Sequence, residues 1–395
     1  MKHFEKKFKD KSGIAWEDRA SEPKSGKYAY VERSYEPDSD DGDDEEAVDV
    51  NGGFLTKQSS LPTSKLEEPV QSLMKLIFNQ TYMDRAMESL NYDSRKMPLG
   101  KLSKANIDRA FQTLKDLANL LQASVSAREE VEDLSNRYYS LIPHNFGRNR
   151  PPVISDSQQL KGELDLLESL GDMKEATAMM RRDLSESEKV HPLDRQFNTL
   201  GLQEMSVLDT NAQEFQELAA YLLSTKGATH NINFEIESIF RIERNGEFDR
   251  FKKSQFSKIQ SDRRLLWHGS RATNYGGILS QGLRIAPPEA PVSGYMFGKG
   301  VYLADMSSKS ANYCVPSISG GHALLLLCEA ELGNPMLQLT SASYSAGEDA
   351  LNQGSWSTWG KGRTGPSAWK DAGCVHPSLK GVTMASFTAR SCRYS

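Results

Sequence analysis

Apolar side chains return every three or four positions between residues 60 and 183. Val70, Leu73, Met74, Ile77 and Phe78 share one helical face. Pro69 stands where a first helical turn tolerates a missing N–H. Ser103 is placed to cap a second helix, whose apolar face is Ile107, Ala110, Phe111, Leu114 and Leu117. A third helix carries Val131, Leu134 and Tyr138 and stops before Pro143. Pro151-Pro152 breaks the chain again. A fourth helix carries Leu160, Leu164, Leu167 and, past Gly171, Met173 and Met180. Amphipathic helices with short polar joints predict a helical bundle.

The period changes after about residue 186. Phe234, Ile236, Ser238, Phe240 and Ile242 alternate with polar or charged residues, Ile239 excepted. Residues 264–268, 300–304 and 322–332 are further strand candidates, separated by Gly and Pro clusters at 286–288, 293–294 and 319–321. Residues 213–223 read as a helix. The pattern therefore predicts an α+β protein, an all-helical bundle followed by a strand-rich domain, with no internal repeat.

Composition fills in the flanks. The 395 residues leave room for two or three domains. Residues 1–35 are rich in Lys and aromatics (Phe4, Phe8, Trp16, Tyr28, Tyr30, Tyr35), with a short strand expected over 28–31. That is too little chain for its own core, so it reads as the tail of something larger. Residues 36–59 have linker composition, and eight of the twelve residues from 38 to 49 are Asp or Glu. A net charge of −5 excludes nucleic-acid binding by bulk charge, but the chain without its acidic run is about neutral, so a local basic surface stays open. The cluster from Lys6 to Lys11 is a nuclear signal, a DNA contact or a solvated face.

Cys314, Cys328, Cys374 and Cys392 form no C-x-x-C pair and no zinc-ligand spacing with histidine, which points to a reduced compartment and no metal site. The charged N-terminus does not resemble a secretory signal, and the longest apolar run, 323–328, is too short to span a bilayer. A cytosolic or nuclear protein without membrane attachment is expected. Gly360-x-Gly362-x-x-Gly365 spells a dinucleotide fingerprint, but it lacks a preceding strand and meets Pro366 at once.

Three short pieces carry chemistry. Leu265-Leu266-Trp267 is a buried apolar strand that ends in His268-Gly269-Ser270, where glycine allows close approach to the backbone and His and Ser bring donors and acceptors. In the segment from Gly294 to Ala304, glycines alternate with aromatics, which suits a flat ring. In Ser307-Ser308-Lys309-Ser310-Ala311-Asn312-Tyr313, Ser310 and Tyr313 stand three apart at a helix start. A hydroxyl, an open backbone and two Tyr faces suit an aromatic amide such as nicotinamide. Taken singly, each piece also has an ordinary structural reading.

Taken in order, the three pieces closely resemble the catalytic domain of nuclear poly(ADP-ribose) polymerases of the DNA-damage type. Segment 278–313 carries the resemblance nearly without gaps, including Gln281-Gly282-Leu283-Arg284-Ile285-Ala286-Pro287-Pro288-Glu289-Ala290-Pro291. Residues 60–183 resemble the helical regulatory domain of that family, notably at Lys96-Met97-Pro98-Leu99-Gly100-Lys101-Leu102-Ser103 and Asp133-Leu134-Ser135-Asn136-Arg137-Tyr138-Tyr139. Residues 1–35 resemble the end of a WGR domain. The resemblance implies a mainly antiparallel ADP-ribosyltransferase sheet over 186–384 and NAD+ as the substrate whose ADP-ribose is transferred to protein acceptors, including the enzyme itself. It also implies damaged DNA as a partner and a nuclear location.

By position, Gly269 is expected to pair its backbone with the nicotinamide amide, and Ser310 to add its hydroxyl. Tyr302 and Tyr313 sandwich the ring, and His268 and Ser270 hold the adenosine ribose. Asn274, Arg284 and Ile285 line the adenine end, and Lys309 lies near the reaction centre. His268, Tyr302 and Lys309 are the expected catalytic residues.

One departure bears on activity. The family's late-strand Glu, in an Asn-Glu-Tyr type segment, has no counterpart here. The resemblance runs to about Met384, and the tail 385–395 is unmatched and holds no Glu. Glu329, Glu331 and Glu348 lie outside the motif. A shifted frame or alternative terminus is expected, leaving the catalytic domain C-terminally truncated. Loss of a positioned acid/base typically costs ~10²–10⁴ in rate, and loss of the last strands leaves sheet edges unpaired. The alternative expectation is thus an impaired module that only binds NAD+ or a partner.

Overall fold

The structure is a computed structural model. It describes residues 2–19, 21, 24, 26–33, 62–123, 128–182, 190–227, 233–362, 365–366 and 368–386. The linker expected at 36–59 and the tail from residue 387 on lie outside the described residues. The chain divides into two compact units: residues 1–38, 87–171 and 287–294 form one, and residues 39–86, 172–286 and 295–395 the other.

The helices come first in the chain: α1 (Lys2–Ser12), α2 (Glu68–Ile77), α3 (Gln80–Ser89), α4 (Lys104–Gln122), α5 (Arg128–Leu141) and α6 (Ser157–Arg182). The apolar faces read from the sequence are the buried ones. Val70, Leu73, Met74 and Ile77 of α2 are buried, as are Ile107, Ala110, Phe111, Leu114 and Leu117 of α4. Ser103 caps α4, its hydroxyl accepting the Asn106 N–H at 3.1 Å. Helix α6 runs straight through Gly171, and its last buried methionine is Met179 rather than the expected Met180.

In the first unit, α4 packs on α5. A polar knot is buried beside them. Glu163 of α6 accepts from Tyr138 at 2.9 Å and meets His144 Nε2 at 3.0 Å. The N-terminal aromatics do form a cluster, with Phe4, Phe8 and Tyr30 all edge-on to Trp16 at 4.9, 5.0 and 5.5 Å. Residues 28–31 are not a strand, because only Arg33 forms a bridge, to Leu102.

The second unit contains the sheets. After α7 (Pro192–Thr199) come β1 (Leu202–Val207), α8 (Gln213–Ser224), β2 (Phe240–Arg244), α9 (Glu247–Lys253), β3 (Arg263–Ser270), α10 (Tyr275–Gln281) and α11 (Ser307–Ala311). Then follow β4 (Leu324–Glu331), β5 (Leu337–Leu339), α12 (Ala346–Asn352), β6 (Thr358–Gly360), β7 (Ala368–Asp371) and β8 (Thr383–Ser386). The main sheet has the order β4-β3-β8-β7. β3 pairs antiparallel with β4 along all its residues, from Arg263↔Glu331 to Ser270↔Leu324. It pairs parallel with β8 at Arg264↔Thr383, and β8 is antiparallel to β7. Strands β1 and β2 form an antiparallel pair, and β5 and β6 a parallel one. The α+β architecture with a mainly antiparallel sheet is as expected.

Three strand expectations need correction. The alternation over 234–242 yields a paired strand only from Phe240 on, because β1 ends opposite it. Residues 300–304 form no strand, and only Ala304 bridges, to Trp267. Ala385 and Ser386 are not past the sheet but complete β8, where Ala385 is buried against Tyr221, Leu265 and Trp267. The strands at 202–207 and the helices at 80–89 and 192–199 were not anticipated. No helix among the described residues is long and apolar enough to cross a membrane, and they contain no cluster of three metal-ligating side chains.

Candidate active site

The site starts where β3 turns from apolar to polar. Leu265, Leu266 and Trp267 are buried, whereas His268, Gly269 and Ser270 are half-buried. Trp267 stacks on Tyr221 of α8 at 5.2 Å, and the Tyr221 hydroxyl donates to the Leu265 carbonyl at 2.7 Å. Trp267 and Ala304 exchange reciprocal backbone bonds of 2.7 and 2.8 Å. The strand end is thereby fixed on both sides before any ligand arrives.

His268 Nδ1 lies 3.0 Å from the Tyr302 carbonyl. A carbonyl only accepts, so Nδ1 carries the proton and Nε2 presents a lone pair. Burial holds the imidazole below its ordinary range, against the raising effect of the Tyr302 carbonyl. Ser270 Oγ accepts from Asn274 Nδ2 at 3.0 Å. Asn274 is buried, so its link to the site runs through Ser270.

Tyr302 is tied at its tip. Its hydroxyl accepts the Phe297 N–H at 2.9 Å and donates to the Gly298 carbonyl at 2.7 Å. That loop turns through Gly298 at φ +73°, a conformation that favours glycine. The Tyr302 ring remains 41% exposed, and Met296 and Val301 beside it are exposed as well.

The serines of α11 each have a separate job. The Ser307 hydroxyl donates to Leu222 O at 2.8 Å, and the Ser307 N–H donates to Thr225 O at 3.0 Å. Ser308 Oγ accepts the Gly227 N–H at 2.8 Å. Together they stitch α11 to the end of α8. Ser310 is buried, and its hydroxyl donates to the Trp267 carbonyl at 2.9 Å, leaving its lone pairs as acceptors. Lys309 is exposed. The helix ends at Ala311, so Tyr313 lies beyond it rather than on its face. Its N–H reaches Ser310 O at 3.0 Å, and its ring is 61% exposed.

Gly269 has a clearer reason than ligand access. A Cβ there would overlap the backbone carbonyl of Ser310. The glycine is what lets α11 reach the strand. Behind it the Cys314 thiol donates to Leu324 O at 3.1 Å, and burial pushes it up to about 11, so it is no nucleophile.

Arg284 lies farther along, ion-paired with Asp172 of α6, while Ile285 is exposed. Burial raises the Asp172 carboxyl despite the nearby guanidinium. Asp172, Tyr221 and Thr225 also contribute, and none of them stands in the three chemical pieces of the sequence. Tyr221 carries no local signal, because its partner Leu265 is far along the chain. The adjacent pair Ser307-Ser308 was visible, but its partners were not.

A four-stranded sheet whose inner strand β3 ends in a prepared polar corner is thus in place. A family model described as the poly(ADP-ribose) polymerase catalytic domain matches residues 212–395, and one for the regulatory domain of the same polymerases matches residues 64–197. Poly(ADP-ribose) polymerase 1 of Danio rerio is 43% identical over 93% of this chain and 34% of its own length. Poly(ADP-ribose) polymerase 2 of Homo sapiens is 40% identical over 92% of this chain and 60% of its own length. Poly(ADP-ribose) polymerase 2-A of Oryza sativa subsp. japonica is 40% identical over 92% of this chain and 53% of its own length. The chain belongs to the poly(ADP-ribose) polymerase family, and it spans between about a third and three-fifths of the length of these relatives.

Proposed function

We propose that this chain is an NAD+ ADP-ribosyltransferase that moves ADP-ribose from NAD+ to protein acceptors, with release of nicotinamide, in the poly-ADP-ribosylation that answers DNA damage. One observation carries the reading. The end of the strand is linked to two exposed tyrosines: the His268 imidazole bonds the Tyr302 carbonyl, and Ser310, whose hydroxyl bonds the Trp267 carbonyl, accepts the Tyr313 N–H. In this reading the Gly269 backbone and Ser310 Oγ hold the carboxamide, and Tyr302 and Tyr313 stack on the ring. His268 and Ser270 take the adenosine ribose, with Nε2 of His268 as the acceptor for a ribose hydroxyl. Asn274, Arg284 and Ile285 border the adenine, and Lys309 stands near the bond that breaks. Positive charge grows on the ribose as nicotinamide leaves, and a fixed amide makes departure a matter of position.

The helical segment restrains the site in the same reading, until binding of damaged DNA releases it. Its support is the hold of Asp172 on Arg284, the residue assigned to adenine. Replacing Asp172 with Ala is expected to raise NAD+ affinity several-fold in the absence of DNA. Titration calorimetry checks it, and an unchanged or weaker affinity removes the restraint. A nuclear location accompanies the DNA-damage role and is read by microscopy of the tagged chain.

A second reading, an NAD+-binding module without turnover, rests on the engagement of Glu329 and Glu331 with Arg263, at the far end of β3 from the 268–270 corner. Incubation with labelled NAD+ and nicked DNA separates the two. Labelled protein supports the enzyme. Nicotinamide-analogue binding without label leaves the binding module, and loss of both overturns the site.

A further inference from the structure

Away from the site, a lysine and a cysteine converge on one carboxylate oxygen. Lys370 Nζ at the end of β7 lies 2.9 Å from Glu217 Oε2 of α8. Cys374 Sγ lies 3.8 Å from that same oxygen. The Glu217 carboxylate, with a smaller contribution from Cys374, holds the Lys370 ammonium above its ordinary range. The turn between them is held firmly, because Asp371 accepts the N–H groups of Gly373 and Gly381 at 2.7 and 2.8 Å. The Lys370 and Glu217 side chains are 44% and 31% exposed and Cys374 is half-buried, so a small oxidant has access.

We propose that Cys374 and Lys370 are the two ends of an oxidant-formed covalent cross-link, a sulfenamide, with Glu217 as its proton acceptor. The oxidant is a peroxide, either hydrogen peroxide or an organic hydroperoxide. The Cys374 sulfur attacks the peroxide. An S–O bond forms, the O–O bond breaks, and water or alcohol leaves; sulfur loses two electrons and the peroxide gains them. Lys370 then gives a proton to Glu217, and its amine attacks the sulfenic sulfur. The N–S bond forms, the S–O bond breaks, and the hydroxyl leaves as water with the proton relayed from Glu217; the second proton of the attacking nitrogen then passes to Glu217 and on to solvent, leaving a neutral N–S link. With hydrogen peroxide, one thiol, one amine and one peroxide yield one sulfenamide and two waters. An ordinary cysteine has no amine in reach and continues up the oxidation ladder. Here the shared carboxylate keeps the nucleophile at the sulfur. The link removes the lysine charge and releases Glu217 from its ion pair, and thiols reverse it.

The test is peptide mass spectrometry on the full chain after hydrogen peroxide, free thiols being alkylated before trypsin. The expected product is one peptide uncut at Lys370, carrying an unalkylated Cys374 and two hydrogens lighter than its reduced form. Dithiothreitol should restore both the cut and the thiol. Lys370→Arg should lose the link and leave a sulfenic acid trapped by dimedone, and Glu217→Gln should slow the link several-fold. Cys374 recovered as sulfinic or sulfonic acid with trypsin still cutting at Lys370 overturns the proposal. None of these readouts depends on transferase activity.

Discussion

Helix α4 and the end of strand β3 are both well ordered, but they are held in different ways. In α4, eight positions are buried, six of them apolar, and each of the six adds a share of apolar area. At the end of β3, order hangs on single atoms. The Trp267 carbonyl accepts both the Ala304 N–H and the Ser310 hydroxyl, and the absent side chain of Gly269 admits α11. A distributed core loses stability in proportion to what is removed. A corner built on single contacts loses its geometry at once.

Four experiments sharpen or break this contrast. Leu114→Ala empties a fully buried position of α4 and is expected to cost ~2–5 kcal/mol in denaturant unfolding, with nicotinamide-analogue binding by the folded fraction retained. Gly269→Ala is expected to cost ~1–3 kcal/mol by overpacking against Ser310 and to abolish analogue binding in calorimetry. Retained binding in that variant would show that the corner yields more than a close-packed backbone should. Gly162→Ala is the counterpart. A Cβ at position 162 of α6 meets nothing, so the variant is expected to gain ~0.5–1 kcal/mol.

The smallest effect concerns acid. The His268 imidazole is held below its ordinary value of ~6.5. The unfolded chain therefore binds the proton more readily. Above the ordinary value the group contributes nothing; below it, the folded state loses stability as pH falls. The urea midpoint should drop as pH falls below about 6.5, and His268→Gln should flatten that part of the profile. A midpoint that rises toward acid reverses the sign and refutes the neutral, half-buried ring.

The same contrast governs what was legible in the sequence. Helices α2 and α4 announce themselves because a 3.6-residue period repeats over several turns, and Ser103 marks a start. Helix α3 hides because its buried positions, Met83, Ala86 and Met87, are few and lie in a polar stretch. Strand β1 hides because its residues are only half-buried and alternate poorly. At the site, the motif residues were visible as types and order. What was not visible is the support around them. Tyr221, Thr225 and Leu222 act on β3 and α11 from far along the chain, through contacts that no local period encodes.

The stitching of α11 to α8 has a dynamic consequence. The amides of Trp267, Ala304, Ser307 and Gly227 are donors in one connected set of bonds that crosses four segments. Each of these bonds joins two segments, and Ser310 ties α11 to the Trp267–Ala304 pair. Under conditions where opening and closing are fast relative to chemical exchange, these amides should therefore open as one cooperative group, at a single free energy. The polar corner of β3 would then be present or absent as a whole, and any ligand that closes on it would slow all four amides by the same factor.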